Sequence, residues 1–579
     1  MILIISTSMD PIGQNGKFYW GEKYIQKIIP FLPQNVVDII SIQSAVLYFS
    51  KANQKNNMAV KLNITESRIT NSYFKLQYNL SEELSFKSFQ VKEALKKIFN
   101  KKTILDLPFC SAVDENIFYD TLENTRILSE IECLQGKNNW QEIISLFNSF
   151  KPIEKNSLWN DSIILSKFSF AAAKLSECGG NLKKLIPDQS KRAKYISEKR
   201  KYRELAIKLR NRCIQLDPEN PAFYSNLAYT YYQSVSELKT PGCRKDGKLI
   251  DEAKMALTNF DKALELDNSR ITDHYRKGLL QTEILAENIF FGKTDCENNS
   301  EKFQAGIGYL SNGLISFQNA VNIYTAKSND EQFCRRYRKY YIKSLYYLAQ
   351  TYLRLGKEVI NSDTFTTSAK LIYISEAEKR DSKISNLQQA ESAINKCITE
   401  DCTKEGLSFE DAAEQNNFQC AVYKCYLKAV IHLFLFHMTS DNKHSQIAKE
   451  YFYKALEISF PPELKNQSKL FVLDKIALLN IIESKFSSAI KLLEPHYKNA
   501  RYFPDFAAYT LALAYLLNGQ SELAKQITEE CLKNTGSILY KKFLKMSQTI
   551  SLGDQQWDNL DLIYMQPEET EYQEQQKTA

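Results

Sequence analysis

Residues Gln215–Ser234, QLDPENPAFYSNLAYTYYQS, and Asp251–Asn268, DEAKMALTNFDKALELDN, decide the fold of this chain. In the first stretch Tyr224, Leu227, Ala228 and Tyr231 follow the 0, 3, 4, 7 spacing of one helix face. In the second, Ala256, Phe260 and Ala263 keep that spacing, and Leu266-Asp267-Asn268 closes the helix. The small residues have a steric role. Ala228 and Ala256 let two helices approach, and the bulky residues beside them fill the space between.

The pattern recurs outward from this pair. Ala206, Cys213 and Pro218 end the preceding unit. His274 and Gly278 open the next, although Lys277 stands where Leu is expected. Leu345, Leu348, Ala349, Tyr352 and Gly356 form a first helix, and Ala448, Phe452 and Ala455 a second. Ala477 and Ala489 mark a weaker unit; Ala512, Tyr515, Gly519, Ala524 and Cys531 mark a strong one. With a degenerate pair at Tyr119–Phe150, roughly eight helix pairs are expected over 115–550.

These motifs resemble the tetratricopeptide repeat (TPR), whose first helix carries a bulky residue, Leu, a small residue and Tyr. Its second helix carries Ala, an aromatic and Ala before a Pro turn. The resemblance implies a mainly α fold, a TPR-like α-solenoid, in which each first helix lines a concave groove. Carried onto this chain, the groove positions are Ser225, Tyr229, Tyr232 and Gln233, then Tyr275, Leu279, Thr282 and Glu283. A third set is Lys343, Tyr346, Gln350, Leu353 and Arg354. Ser225 and Tyr229 stand where a carboxylate-clamping TPR needs Lys and Asn, so an extended peptide or a helix is the expected ligand. Extra segments at Gly179–Gln189, Ser236–Lys248, Phe291–Lys302, Ser362–Leu387 and Glu400–Asn417 read as surface insertions.

Residues 1–105 have a different texture and are expected to form a small α/β or α+β domain. Met1–Ser6 is an apolar run of the buried-strand kind, Lys17–Phe31 suits a helix, and Asn35–Ser50 is rich in Val and Ile. Met58–Leu80 reads as a hairpin and Ser85–Phe99 as an amphipathic helix. At the other end, 551–579 is acidic and Gln/Glu-rich, too polar to bury a core, and is expected to be a flexible tail.

The composition fits such an array. Of 579 residues, 44% are hydrophobic and 25% charged, so the chain can bury a core. Gly and Pro number only 18 and 14, which argues against turn-rich sandwiches and barrels. Twelve cysteines without regular short spacings read as buried thiols of a reducing compartment. The N-terminus, MILIISTSMDPIGQ, lacks a basic region, and Ala429–Met438 is too short to span a bilayer. A cytoplasmic chain with no membrane partner is expected.

No catalytic constellation is expected, and no cofactor. All five histidines (His274, His432, His437, His444, His496) lie in the repeat region, so 1–105 cannot build a Ser–His–Asp triad or a His-ligated metal site alone. Met9–Phe18 approximates a phosphate loop, but Pro11 replaces a glycine and Phe18 the Ser or Thr hydroxyl. Cys397–Cys402 and Cys420–Cys425 are C-x4-C pairs, and on a helix the two sulfurs of each point about 140° apart.

Two basic surfaces complete the reading. Lys183–Arg212 carries twelve Lys or Arg, among them Lys191, Arg192, Lys194, Lys199, Arg200, Lys201 and Arg203. Cys334–Lys343 carries Arg335, Arg336 and Arg338 among tyrosines. Either could be a solvated helix face or a nucleic-acid contact. The leading expectation is therefore a TPR-repeat adaptor or scaffold holding a protein or peptide. The alternative is a ligand- or RNA-sensing regulator whose superhelix controls the N-terminal domain.

Overall fold

The structure, a computed structural model, describes residues 2–7, 15–21, 44–49, 58–69, 73–98, 110–113, 115–150, 157–177, 188–235, 247–291, 300–358, 366–367, 370–371, 376–403, 418–457, 465–499, 503–533, 543–544, 546–548 and 550. It divides into two compact units, Met1–Cys178 with Leu182–Phe223, and Tyr224–Ala579 with Gly179–Asn181. The expected tail, 551–579, lies outside the described residues, as do most of the expected insertions.

The first unit opens with a six-stranded sheet. Strands β1 (Ile2–Thr7), β2 (Asn15–Gly21), β3 (Ser44–Phe49), β4 (Met58–Ile69), β5 (Tyr73–Lys87) and β6 (Cys110–Val113) lie in the order β2-β5-β4-β3-β1-β6. Among the described strands of this sheet only the β1–β3 pairing is parallel, with Ile4 opposite Val46. β4 and β5 are antiparallel neighbours.

The helix expected over Lys17–Phe31 is not formed at its start. Lys17–Gly21 belongs to β2, where Phe18 pairs with Leu76 and Trp20 with Phe74. Ladder pairing with β5, remote in sequence, decides for the strand. Residues 22–31 lie outside the described residues. Gly16 and Lys17 thus sit in a strand, which removes the loop-to-helix geometry a phosphate site needs.

Helix α1 (Ser88–Ile98) contacts β3, β4 and β5 and also α2 (Glu115–Gly136). Then follow α3 (Trp140–Ser149), α4 (Ser162–Ser176) and α5 (Gln189–Leu216). Ile127, Ile144, Phe147, Phe168, Ala172, Ala206 and Leu209 share one core between them. Asp161 caps α4 by accepting from the backbone N–H of Ile163 and Ile164, and Asp188 caps α5 through Lys191 N–H.

The second unit is a run of helices in which chain neighbours pack together. These are α6 (Pro221–Val235), taken into the unit from Tyr224, α7 (Gly247–Leu266), α8 (Ile271–Leu279), α9 (Glu287–Phe291), α10 (Ser300–Ala326), α11 (Glu331–Glu358) and α12 (Glu376–Thr403). They continue as α13 (Phe418–Thr439), α14 (Asn442–Glu457), α15 (Lys465–Ile482), α16 (Phe486–Asn499), α17 (Asp505–Leu517) and α18 (Ser521–Leu532). Contacts run α10–α11, α11–α12, α12–α13, α13–α14 and onward to α17–α18, the stacking of a one-dimensional helical array.

The small positions that sequence marks are where helices touch. Ala228, Ala256, Ala263, Ala349, Ala448, Ala455, Ala477, Ala489, Ala512 and Ala524 are all 0% exposed. Gly278 shows why size matters there. A Cβ on it would lie 2.6 Å from the Phe317 ring of α10, and one on Gly313 of α10 would meet Thr282 at 2.3 Å. No described helix is long and apolar enough to cross a membrane.

Candidate binding face

Between α8 and α9 the helix widens into a π-helical turn, Leu280–Ala286, all of it buried. Such turns offset the side chains that follow and are frequent at functional sites. Here the close crossing with α10, permitted by Gly278 and Gly313, holds the turn in place. Ser316 Oγ also donates to Gln281 Oε1 at 3.1 Å, and Thr282 Oγ1 to Gly278 O at 3.0 Å.

Glu283, in the middle of that turn, is 3% exposed. It pairs with Arg354 of α11 (Nη1–Oε1 3.2 Å), whose other nitrogen reaches Glu287 Oε1 at 2.9 Å. Arg354 Nη1 also donates to Thr282 O at 3.2 Å. A planar guanidinium shared by two carboxylates and a carbonyl satisfies charge that would otherwise be costly to bury.

Tyrosines surround this pair. Tyr275 of α8 lies edge-on to Tyr340 (5.6 Å) and tilted against Tyr347 (6.1 Å) of α11. Tyr347 stacks on Phe317 at 5.7 Å and meets Tyr346 at 87°. On α6, Tyr229 stacks on Tyr232, and the Arg276 guanidinium lies 4.0 Å over the Tyr229 ring. Burial, then neighbouring tyrosines and the Glu283 carboxylate, raise the phenols of Tyr275 and Tyr347 well above their ordinary value. Burial, then Tyr229, does the same to Tyr232, with Glu283 adding and Arg276 opposing. These phenols remain neutral hydrogen-bonding groups at physiological pH.

The groove residues read from sequence therefore divide. Tyr229, Tyr232 and Tyr346 are half-buried on this face, whereas Tyr275, Thr282, Glu283 and Arg354, expected to line the groove, are buried beneath it. Leu279 and Leu353 are buried in the core, and Gln350 is buried at 3% exposure. Gln233 is half-buried and Lys343 exposed. Ser225 is not open to a groove: it is 4% exposed, and its Oγ donates to Asp273 Oδ1 at 2.7 Å. Asp273, itself without exposed surface, also takes Arg270 Nε at 2.5 Å.

Tyr340 and Tyr347, with Arg276, Phe317 and Glu287, are additions that sequence reading misses. Tyr340, Tyr347 and Arg354 recur every seven residues along one line of α11, a signal present in the sequence. Arg276 over Tyr229 needs tertiary contact and has no local signature.

The remaining candidates lie elsewhere. Arg335 and Arg336 are exposed on α11, Arg336 lies 5.3 Å over Tyr337, and Arg338 donates to the Glu400 carbonyl of α12. On α5, Lys191, Lys194, Arg200 and Lys201 are exposed, Arg203 is half-buried, and Lys199 lies 5.1 Å over Tyr195; Arg192 shares the helix.

Cys397 and Cys402 lie on α12 and Cys420 and Cys425 on α13, with Cys397 and Cys425 buried. Burial pushes the thiols of Cys213 and Cys531 up to about 12, far from thiolate reactivity. Among the described residues no group of three or more His, Cys, Asp or Glu is placed to hold a metal.

No protein-family model matches the chain, and no curated protein matches it. Among solved structures it is similar to a tetratricopeptide repeat protein from Parabacteroides merdae ATCC 43184, at 13% identity over 63% of this chain and 98% of that one, TM-score 0.32. It is also similar to yeast Tom70, at 14% identity over 67% of this chain and 96% of that one, TM-score 0.18. A third is a human IFIT1 dimer with PPP-AAAA, at 14% identity over 79% of this chain and 96% of that one, TM-score 0.17. All three scores are below 0.5, and no site or function is transferred from them. The helical-array class of the second unit rests on its own stacked helices.

Proposed function

We propose that this chain is a non-catalytic, cytoplasmic TPR-like adaptor that holds an extended segment of a partner protein on the tyrosine face of α6, α8 and α11. The observation that carries this reading is the set of half-buried tyrosines, Tyr229 and Tyr232 of α6 and Tyr340, Tyr346 and Tyr347 of α11, over buried Tyr275 of α8 and a buried Glu283–Arg354 pair. Tyrosine gives large contact area with few rotatable bonds and a hydrogen-bonding tip, so such a face suits main-chain and side-chain contacts of a peptide. The buried pair ties the π-helical turn after α8 to α11. In this reading residues 1–105 supply a second contact.

Peptide display against the full-length chain tests this. Selected peptides are expected to compete with one another and to bind a Tyr229→Ala/Tyr346→Ala variant at least about tenfold more weakly, since two contact aromatics are removed. Peptides that bind the variant as well as the wild type would place the binding surface elsewhere.

A further inference from the structure

Several helix faces in this chain neutralise cations locally. Lys454 pairs with Glu450, Lys498 with Glu494, Arg126 with Glu123 and Glu130, Lys174 with Glu177, and Lys262 with Glu265, all three or four residues apart. Helix α5 does not. Among the described residues no ion pair reaches Lys191, Lys194, Lys199, Arg200, Lys201, Arg203 or Lys208, although Glu198 and Glu204 lie on the same helix. Asp188 serves as the helix cap, accepting from Lys191 N–H at 2.9 Å.

The cations form a line. Lys194, Lys201 and Lys208 are seven residues apart and exposed, so they follow one side of the helix at about 10 Å intervals. The line ends at an aromatic ring. Half-buried Trp159 lies beneath the Lys208 ammonium at 5.6 Å and the Arg212 guanidinium at 5.9 Å. Arg212 also donates to Trp159 O at 3.1 Å and to Asn160 Oδ1 at 2.8 Å, which fixes the ring against the helix.

We propose that this face of α5 binds a single-stranded nucleic acid, its phosphates along Lys194, Lys201 and Lys208 and a base stacked at Trp159. Charge alone would suit any polyanion, and two features select this one. An aromatic platform at the end of a cationic track is the chemistry of sequence-tolerant strand binding. Among the α5 side chains described, those that face solvent, such as Lys191, Lys194, Glu198, Arg200, Lys201 and Lys208, include no apolar one to enter a bilayer.

Fluorescence anisotropy of the full-length chain with labelled RNA and DNA strands of about 20 nucleotides tests the proposal, titrated from about 50 to about 300 mM salt. Binding should weaken steeply with salt. In a Lys194→Gln/Lys201→Gln/Lys208→Gln variant it should fall at least about tenfold, with a log–log salt slope shallower by about two. Trp159→Leu should weaken binding about tenfold and leave the slope nearly unchanged, because stacking releases no counterions. Circular dichroism checks folding, and the single exposed change Lys201→Gln, with a smaller loss, keeps the test decisive should the triple variant unfold. No binding at the lowest salt would overturn the proposal, as would full binding by the folded variants. So would displacement of the strand by phosphatidylserine vesicles or polyglutamate at equal charge.

Discussion

Two surfaces of this molecule handle charge in opposite ways. On the tyrosine face of the second unit, Arg354 is enclosed with Glu283 and Glu287. On α5 of the first unit, Lys191, Lys194, Arg200, Lys201 and Lys208 are exposed with no ion pair among the described residues. A buried, paired charge is part of the fold: removing one member leaves the other stranded in low dielectric. An exposed, unpaired charge contributes almost nothing to folding, so its removal is felt in binding. The same residue types thus predict opposite phenotypes.

The largest effect should come from Arg354→Leu. It strands the Glu283 carboxylate, at 3% exposure, and should cost about 3–5 kcal/mol in urea unfolding of the second unit. A loss under about 1 kcal/mol would mean that water reaches the pair and that the face is looser than described.

Acid should separate the two units next. Every histidine lies beyond residue 224, so the first unit has none. His432 has no exposed surface, its Nδ1 is 2.9 Å from that of His444, and its Nε2 faces Glu391 at 3.5 Å. Burial first, then His444, Lys428 and Lys443, pushes its pKa down to about 3. His274 and His437 shift the same way, chiefly through burial. The folded state therefore binds fewer protons than the unfolded one between about pH 6.5 and pH 3. Stability is full above about pH 6.5 and falls as pH drops, with His432 alone costing about 2 kcal/mol by pH 5. Thermal melts of wild type and His432→Gln across this window should show the wild type losing more. Parallel curves would remove His432 from the explanation.

Gly278→Ala, which drives a methyl into Phe317, should cost about 1–3 kcal/mol through overpacking. Ser225→Ala should cost about 1 kcal/mol, because it removes the hydrogen bond to buried Asp273. Smallest of all, Lys201→Gln should stay within about 0.5 kcal/mol of wild type in the same urea assay.

The helical array was legible because its signal is steric and local. Small residues recur at helical spacing, and the alanines so marked have no exposed surface. The tyrosine face was legible in part for the same reason: positions four apart on one helix share a side. Ser225 departs from expectation because a hydrogen bond to Asp273, 48 residues on, draws it inward. The π-helical turn left no trace, since its extra residue per turn is set by the close approach of α10 at Gly278 and Gly313. Near the N-terminus, Phe18-Tyr19-Trp20 suits either a helix or a strand by itself, and pairing with Tyr73–Lys87 decides for the strand.

The tyrosine face as the partner-binding surface is tested most directly by hydrogen–deuterium exchange of the full-length chain, with and without a display-selected peptide. Slowed exchange is expected in 225–235, 271–286 and 340–354, the segments that carry Tyr229, Tyr232, Tyr275, Glu283, Tyr346, Tyr347 and Arg354. Protection confined to another part of the array, such as α17 and α18, with those three segments unchanged, would contradict it.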